Sequence, residues 1–204
     1  MTSLLTQLAP SATNLIRLDH AHVLSTFHQY EASLPERFKR GLVDNVCVAL
    51  EIHAQLEEEL FYPVLRLVLD SDLMRKSPVE HNEMRTLIAR LRQMLPTDPM
   101  FDETFFELMR LVMHHVADEE TVLLPAAERL IPEQLSDMGA RMTRRRLELT
   151  ASRGTELAGS MLRSLSPRTV LAGATTMLSG GWLLARNSHL ARPWTRRGGF
   201  AGTR

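Results

Sequence analysis

Two residues with metal-binding side chains, His53 and Glu57, lie four positions apart in a segment with the apolar pattern of an amphipathic helix. Positions four apart on a helix project over one another, so both side chains can reach one centre. The stripe that contains them is Val43, Val46, Leu50, His53, Glu57, Leu60 and Val64. Burying a carboxylate and an imidazole among aliphatic side chains costs on the order of several kcal/mol unless something compensates. A bound metal ion would compensate.

The same chemistry recurs 62 residues later, at His115 and Glu119. In both copies a second Glu follows directly, and a proline comes six residues after the first Glu. His20 and His81 are 61 residues apart, and each lies on the apolar stripe of another predicted helix. The chain thus uses twice a helix pair that carries a His and then His-x3-Glu. The candidate metal ligands are His20, His53, Glu57, His81, His115 and Glu119.

Four imidazoles and two carboxylates form a ligand set suited to a pair of ions. If each Glu bridges, two adjacent ions receive about eight bonds from the protein, which leaves open positions on six-coordinate iron or manganese. Dioxygen, peroxide, nitric oxide or water could bind at those positions. The ligand set itself leaves iron and manganese open.

Four helices must position these side chains. The sequence predicts them from about Ser11–Asn14 to Ser33, over 37–69, from a first turn containing Pro78, and after the loop at 96–99. Their remaining stripes are Ile16, His20, Val23, Phe27 and Tyr30; His81, Met84, Ile88, Leu91 and Leu95; and Phe101, Phe105, Leu108, Val112, His115, Glu119 and Val122. Pro63 is expected to end or kink the second helix. The expected fold is an all-α, up-down-up-down four-helix bundle.

Composition agrees with packed helices, and the charge divides the chain. The 204 residues are 44% hydrophobic and 24% charged, with 5% aromatics. Residues 1–140 carry 12 basic and 22 acidic side chains, whereas residues 141–204 carry 12 Arg and two Glu. We therefore expect a metal-binding bundle at 11–140 and a basic, partly helical extension at 141–204. The single Cys47 excludes an internal disulfide and a thiolate zinc site.

Residues 169–185 of the extension contain no charged side chain and are flanked by Arg168 and Arg186. Their length is at the lower end of what spans a bilayer, so membrane association through this segment is one alternative. A helix docked on the bundle or on a second subunit is the other. The beginning of the chain lacks the features of a signal peptide, which predicts a cytoplasmic protein.

The order His, His-x3-Glu, His, His-x3-Glu resembles the hemerythrin-like HHE cation-binding family. The segments LDHAHVLSTFHQY, HAQLEEELFYPVL, EHNEMRTLIARL and HHVADEETVLLP carry this resemblance over residues 14 to about 140. It implies a four-helix bundle that holds a non-haem di-iron centre, with the six candidate residues as ligands and Glu57 and Glu119 as bridges.

Two departures from the oxygen-carrying hemerythrins bear on function. Those carriers have a second His one turn after the ligand on the third helix, where this chain has Arg85, and their last ligand pair is His-x4-Asp instead of His-x3-Glu. We therefore expect binding or sensing of O2, peroxide or nitric oxide in a stress response. The alternatives are a peroxidase- or catalase-like enzyme and an iron-responsive module acting through the basic tail. Turnover and oligomeric state stay open, and no nucleic-acid partner is expected.

Other glutamates and histidines of the chain lie outside the candidate ligand set. Glu58 and Glu120 are expected on a solvated face, with hydrogen bonding to a ligand His as the alternative. The remaining histidines, His22, His28, His114 and His189, lie off the stripes and are expected at the surface.

Overall fold

The computed structural model describes residues 9–154 together with 158 and 159, all within a compact unit formed by residues 1–164. Every regular element in the described range is helical. In chain order the elements are α1 (Ala12–Phe27), α2 (Glu36–Leu56), a π-helical turn (Glu57–Phe61), α3 (Tyr62–Leu65), α4 (Asp72–Gln93), α5 (Phe101–Asp118), a second π-helical turn (Glu119–Leu123), α6 (Leu124–Leu130), a 3-10 turn (Pro132–Gln134) and α7 (Leu135–Ser152).

The four long helices α1, α2, α4 and α5 form a closed ring. Helix α1 packs on α2, α2 on α4, α4 on α5, and α5 on α1, while α7 packs along α1 and α2 on the outside. The predicted all-α, up-down-up-down bundle is confirmed.

Two clusters of buried apolar side chains lie on either side of the level occupied by the candidate ligands. On α1, Ile16 belongs to one cluster and Val23 to the other, with His20 between them. The same alternation surrounds His81 on α4. The polar layer is therefore enclosed by core at both ends.

Both π turns begin at a candidate ligand and end two residues before a proline. The backbone N–H of Tyr62 donates to the carbonyl of Glu57, five residues back, and that of Leu124 donates to Glu119. Pro63 does not end the helical path, because it lies in the first turn of α3, where the missing N–H is tolerated. Of the two predicted effects, an end or a kink, the helix does not end at Pro63.

Each π turn inserts one residue and so shifts the apolar face by one position. Phe61 and Leu65 are completely buried, in place of the predicted Leu60 and Val64. In the second copy Leu123 is buried, and the predicted Val122 is 44% exposed. A constant helical period cannot anticipate this shift.

The third predicted helix begins earlier than expected. Its N-cap is Ser71, whose hydroxyl accepts the N–H of Met74, so Pro78 lies inside α4 and not in its first turn. Proline leaves the Met74 carbonyl without its usual helical donor, and Nη2 of Arg66 donates to this carbonyl at 3.4 Å. The interior proline is thereby accommodated.

Two helix ends also differ from the prediction. Helix α1 ends at Phe27 instead of near Ser33, and Tyr30 is buried from the following turn. Helix α4 ends at Gln93, so Leu95 lies beyond it and is 70% exposed.

Among the described residues, no helix combines the length and apolar character needed to cross a bilayer. The segment 169–185 and His189 lie outside the described residues.

Candidate metal centre

The bundle brings all six candidate ligands into one buried layer. His20 lies on α1, His53 on α2, His81 on α4 and His115 on α5. Glu57 and Glu119 are the first residues of the two π turns and are completely buried. The exposed fraction of each histidine is 4% or less.

The four imidazoles form two pairs. The ring centroids of His20 and His53 are 5.0 Å apart, and those of His81 and His115 are 4.7 Å apart. Across the pairs, His53 is 6.4 Å from both His81 and His115. The pairs could each serve one ion.

Each glutamate lies between one imidazole of each pair. Oε2 of Glu57 is 3.3 Å from Nε2 of His53 and 3.4 Å from Nε2 of His81. Oε2 of Glu119 is 3.2 Å from Nε2 of His20 and 3.5 Å from Nε2 of His115. Two overlapping groups of four donors, each with its donor atoms within 4.8 Å of one another, could hold an ion: His53, Glu57, His81 and His115, and His20, His53, Glu57 and Glu119.

The inward-facing atoms of this layer are poorly satisfied. Among the described residues, four of its buried atoms make no hydrogen bond: Nε2 of His20, Nε2 of His53, Oε1 of Glu57 and Oε2 of Glu119. Buried polar atoms are normally paired, so such a cluster requires an explanation. Nitrogen and oxygen donors converging in this way fit a cation of the iron or manganese type.

The electrostatics of the layer also favour a cation. Burial disfavours charge on His20, but the neighbouring carboxylates, chiefly Glu119, outweigh it and raise the His20 pKa to about 9. Burial and the charge of His20 lower the pKa of His53 to about 4. Burial and the negative charge of Glu119 raise the pKa of Glu57. Without an ion the layer therefore retains protons, which a metal would displace.

Each imidazole also contacts a second carboxylate through its outer nitrogen, and that carboxylate belongs to the preceding chain segment around the ring. The Nδ1 contacts are His53 with Asp19 at 3.4 Å, His81 with Glu58 at 3.0 Å, His115 with Glu80 at 3.0 Å and His20 with Glu120 at 2.9 Å. Donation of Nδ1–H outwards leaves the Nε2 lone pair facing the centre. These contacts orient all four rings.

The four outer carboxylates share a position in the sequence. Asp19 and Glu80 each precede a candidate His, and Glu58 and Glu120 each follow a candidate Glu. The hydrogen bonding of Glu58 and Glu120, which the sequence offers only as an alternative, is thus present in the structure. Asp19 and Glu80 were not identified from the sequence, although their adjacency to His20 and His81 is a usable signal.

A cation stands behind each outer carboxylate. Arg85 pairs with Glu58 at 2.7 Å, and together with the His81 contact this outweighs burial and lowers the Glu58 pKa to about 2. The other pairs are Lys76 with Glu80, Arg17 with Glu120 and Arg146 with Asp19. Arg85, at the position where oxygen carriers have a further His, thus supports Glu58 and is partly exposed.

Tyr62 is a site residue that the sequence did not reveal. Its hydroxyl lies 3.0 Å from Oε2 of Glu57 and 2.7 Å from Oε1 of Glu119, and its ring stacks on His81. Burial and the two carboxylates raise its pKa, so the phenol stays protonated as a donor. The extra residue of the π turn brings position 62 over Glu57. The proline six residues after Glu57 was the available signal.

A small, partly enclosed cavity of about 10 Å³ adjoins the layer. Its apolar lining is Val23, Leu50, Val112 and Val116, and Asp19 with three of the four imidazoles completes it. A cavity needs roughly 10–15 Å³ open to the centre of a water molecule to hold one water, so the space suits a ligand of very few atoms.

The off-stripe residues His22, His28 and His114 are exposed, as predicted.

Comparisons with known proteins identify the fold and the family. A structure of a hemerythrin HHE cation-binding domain-containing protein from Mycobacterium kansasii, the Rv2633c homolog, matches with a TM-score of 0.63 and 20% identity. The match covers 76% of this chain and 99% of that one, and it shows the shared fold. A DNA nickase of Nostoc sp. is 26% identical over 127 residues, which are 62% of this chain but only 36% of the nickase. The family model of the hemerythrin HHE cation-binding domain matches residues 11–127, and the chain belongs to this family.

Proposed function

We propose that the chain binds two iron ions through His20, His53, Glu57, His81, His115 and Glu119 and uses them to bind or sense O2, peroxide or nitric oxide. One observation carries the proposal: two imidazole pairs with a glutamate between one member of each pair. This arrangement suits two adjacent ions bridged by Glu57 and Glu119. Manganese, which prefers similar ligands, is the alternative metal.

The iron pair would supply open coordination positions and electrons for a small oxidant. The residues of the chain determine what reaches those positions. Val23, Leu50, Val112 and Val116 form an apolar wall of the small adjoining cavity, which Asp19 and the imidazoles complete, and the small volume excludes bulky ligands. The hydroxyl of Tyr62 hydrogen-bonds to oxygens of both glutamates and so fixes their positions.

Metal analysis of the purified, iron-loaded protein tests the ligand assignment. The wild type should contain about two ions per chain, as two six-coordinate sites require, with near-ultraviolet charge-transfer absorption in the ferric state. A His53→Ala, Glu57→Ala protein should lose most of the metal. His114→Ala, which removes an exposed imidazole, should retain all of it. Full metal content in the double variant would exclude the proposed ligands.

Reaction with oxidants separates binding or sensing from enzymatic turnover. The reduced protein is mixed in turn with O2, hydrogen peroxide and nitric oxide while its absorbance is followed. We expect one stoichiometric spectral change with the physiological ligand. Sustained loss of peroxide with recovery of the starting spectrum would identify a peroxidase- or catalase-like enzyme instead.

A further inference from the structure

Helix α7 lies outside the residues that match the family model, yet it is packed tightly against the bundle. Met138 and Met142 are buried in the same apolar cluster as Ile16 of α1. At Gly139 the approach is so close that a Cβ would lie 2.1 Å from the carbonyl oxygen of Pro10. Helix α7 is thus held at a fixed position beside α1.

Arg146 connects α7 to the candidate metal layer. Its Nη2 donates to Oδ2 of Asp19, and the same oxygen lies 3.4 Å from Nδ1 of His53. The side chains of Arg146 and Asp19 are 27% and 16% exposed. Asp19 is mostly buried, and its partners among the described residues are this guanidinium and the His53 imidazole.

The other three outer cations have a different origin. Arg17 comes from α1, and Lys76 and Arg85 come from α4, all within the matched segment 11–127. Only His53, among the four imidazoles, has its carboxylate held by a residue beyond that segment. Helix α7 therefore supplies the fourth of the cations that hold the outer carboxylates.

The neighbouring residue on α7 provides a natural comparison. Arg145 pairs with Glu59 at 2.8 Å and with Glu148 at 3.1 Å. Among the described residues, neither of these carboxylates is hydrogen-bonded to a candidate ligand. Arg145 and Arg146 thus both dock α7, but only Arg146 reaches a candidate ligand through one intervening side chain.

We propose that α7 supports metal binding: Arg146 orients Asp19, and Asp19 orients the His53 imidazole. Both are positioning residues that touch neither metal nor oxidant. With Arg146 in place, Asp19 accepts Nδ1–H, which leaves the Nε2 lone pair of His53 facing the ions. Without Arg146, Asp19 turns towards water and His53 loses the partner that fixes its tautomer. This inference rests on the proposed function, because it needs His53 as a ligand.

The test compares Arg146→Ala with Arg145→Ala in the full-length protein. Each removes one guanidinium from the same helix. The rate of iron loss to a chelator and the competition-derived affinity are measured for both variants, for Arg146→Lys and for Asp19→Asn. Loss of such a supporting partner typically weakens metal binding about 10–100-fold. We expect this loss in Arg146→Ala and Asp19→Asn, partial recovery in Arg146→Lys, and a change of less than about twofold in Arg145→Ala by the same criterion.

A second readout concerns the ring itself. Nitrogen-15 NMR of the metal-free protein reports the His53 tautomer, assigned by the signal that disappears in His53→Gln. Arg146→Ala should change this signal and Arg145→Ala should not, although both remove a docking ion pair. If Arg146→Ala does not fold, Arg146→Lys and Asp19→Asn provide the same comparison.

The outcomes separate this inference from the proposed function. Equal iron retention in Arg146→Ala and Arg145→Ala, or additive losses when Arg146→Ala and Asp19→Asn are combined, would overturn the inference. If the wild type takes up no metal, or if the His53→Ala, Glu57→Ala protein keeps it all, the proposed function itself fails.

Discussion

The same substitution at two adjacent residues, Glu57→Gln and Glu58→Gln, should have opposite effects on the metal-free protein. Glu57 is completely buried, and one of its oxygens lies within 4.8 Å of a carboxylate oxygen of Glu119. Two unit charges at that distance repel by about 3 kcal/mol at an effective dielectric constant of about 20. Uptake of a proton by Glu57 relieves part of this repulsion, so removing the charge should stabilise the metal-free fold by about 1–3 kcal/mol.

Glu58 is in the reverse situation. Its carboxylate is bonded to His81 and Arg85, which together outweigh burial and lower its pKa to about 2. The charged form is therefore the stabilising one, and neutralising this partly exposed side chain should cost about 1 kcal/mol. Metal-free Glu58→Gln should thus unfold below the wild-type temperature, and metal-free Glu57→Gln above it.

The direction of each pKa shift determines how the stability difference between variant and wild type changes with pH. A carboxyl whose folded pKa is raised, as in Glu57, loses its contribution to stability as the pH rises above 4.5, so the advantage of Glu57→Gln should grow with pH. A carboxyl whose folded pKa is lowered, as in Glu58, contributes fully above 4.5 and loses this contribution towards pH 2. The deficit of Glu58→Gln should therefore shrink in acid.

Thermal unfolding with a chelator and with iron, together with metal analysis, measures these effects. For a chain of this size 1 kcal/mol corresponds to about 2–4 °C in Tm. Loading with iron should reverse the order for Glu57, because the wild type gains more from the ions than a variant that lacks a bridging carboxylate. A metal-free Glu57→Gln protein less stable than the wild type, or one that still binds two ions, would refute this reasoning.

Two further predictions concern buried hydroxyl and thiol groups. Tyr62→Phe removes the donor to Glu57 and Glu119, so it should lower the unfolding free energy of the metal-free protein by roughly 2 kcal/mol, and by less when iron is bound. Tyr30→Phe is the control, because it loses a hydrogen bond to Asp102, which is not a candidate ligand. It should cost roughly 1–2 kcal/mol with or without iron. An equal loss for Tyr62→Phe with and without iron would contradict this. Burial raises the pKa of Cys47 to about 12, so the thiol of the folded protein should resist alkylation at pH 8 and react on unfolding. The contribution of the protonated thiol to the unfolding free energy should be constant below pH 9 and disappear between pH 9 and 12. Rapid alkylation of the folded protein would show that Cys47 is accessible.

The sequence was sufficient for the bundle and for the convergence of six polar side chains, because both depend on helical periodicity. His20 and His81 were found because they occupy apolar stripes, where an imidazole is unusual. Asp19 and Glu80 lie one residue off those stripes. A position beside the stripe is usually solvated, and only the packing of neighbouring helices shows that it meets a histidine.

The two π turns limit prediction in a different way. Before Glu57 and before Glu119 the predicted faces are correct, and after them the buried positions are one residue late. The prolines at 63 and 125 indicated that the α-helical pattern must change, but not that one residue would be inserted. This insertion is also what places Tyr62 over the glutamates, so the residue that the sequence missed and the shifted stripe have one cause.

The pairing of the polar layer distinguishes a metal site from a structural network. A network that serves only to fix the fold is expected to satisfy each of its buried members, because a partly satisfied one is costly. In this layer the outward-facing Nδ1 atoms of all four histidines have carboxylate partners. The inward-facing Nε2 atoms of His20 and His53 lie near glutamate oxygens but make no hydrogen bond among the described residues, and neither do Oε1 of Glu57 and Oε2 of Glu119. Selection for stability alone would not leave the unpaired atoms all on the inner side, whereas a cation bound between the imidazole pairs would satisfy them together.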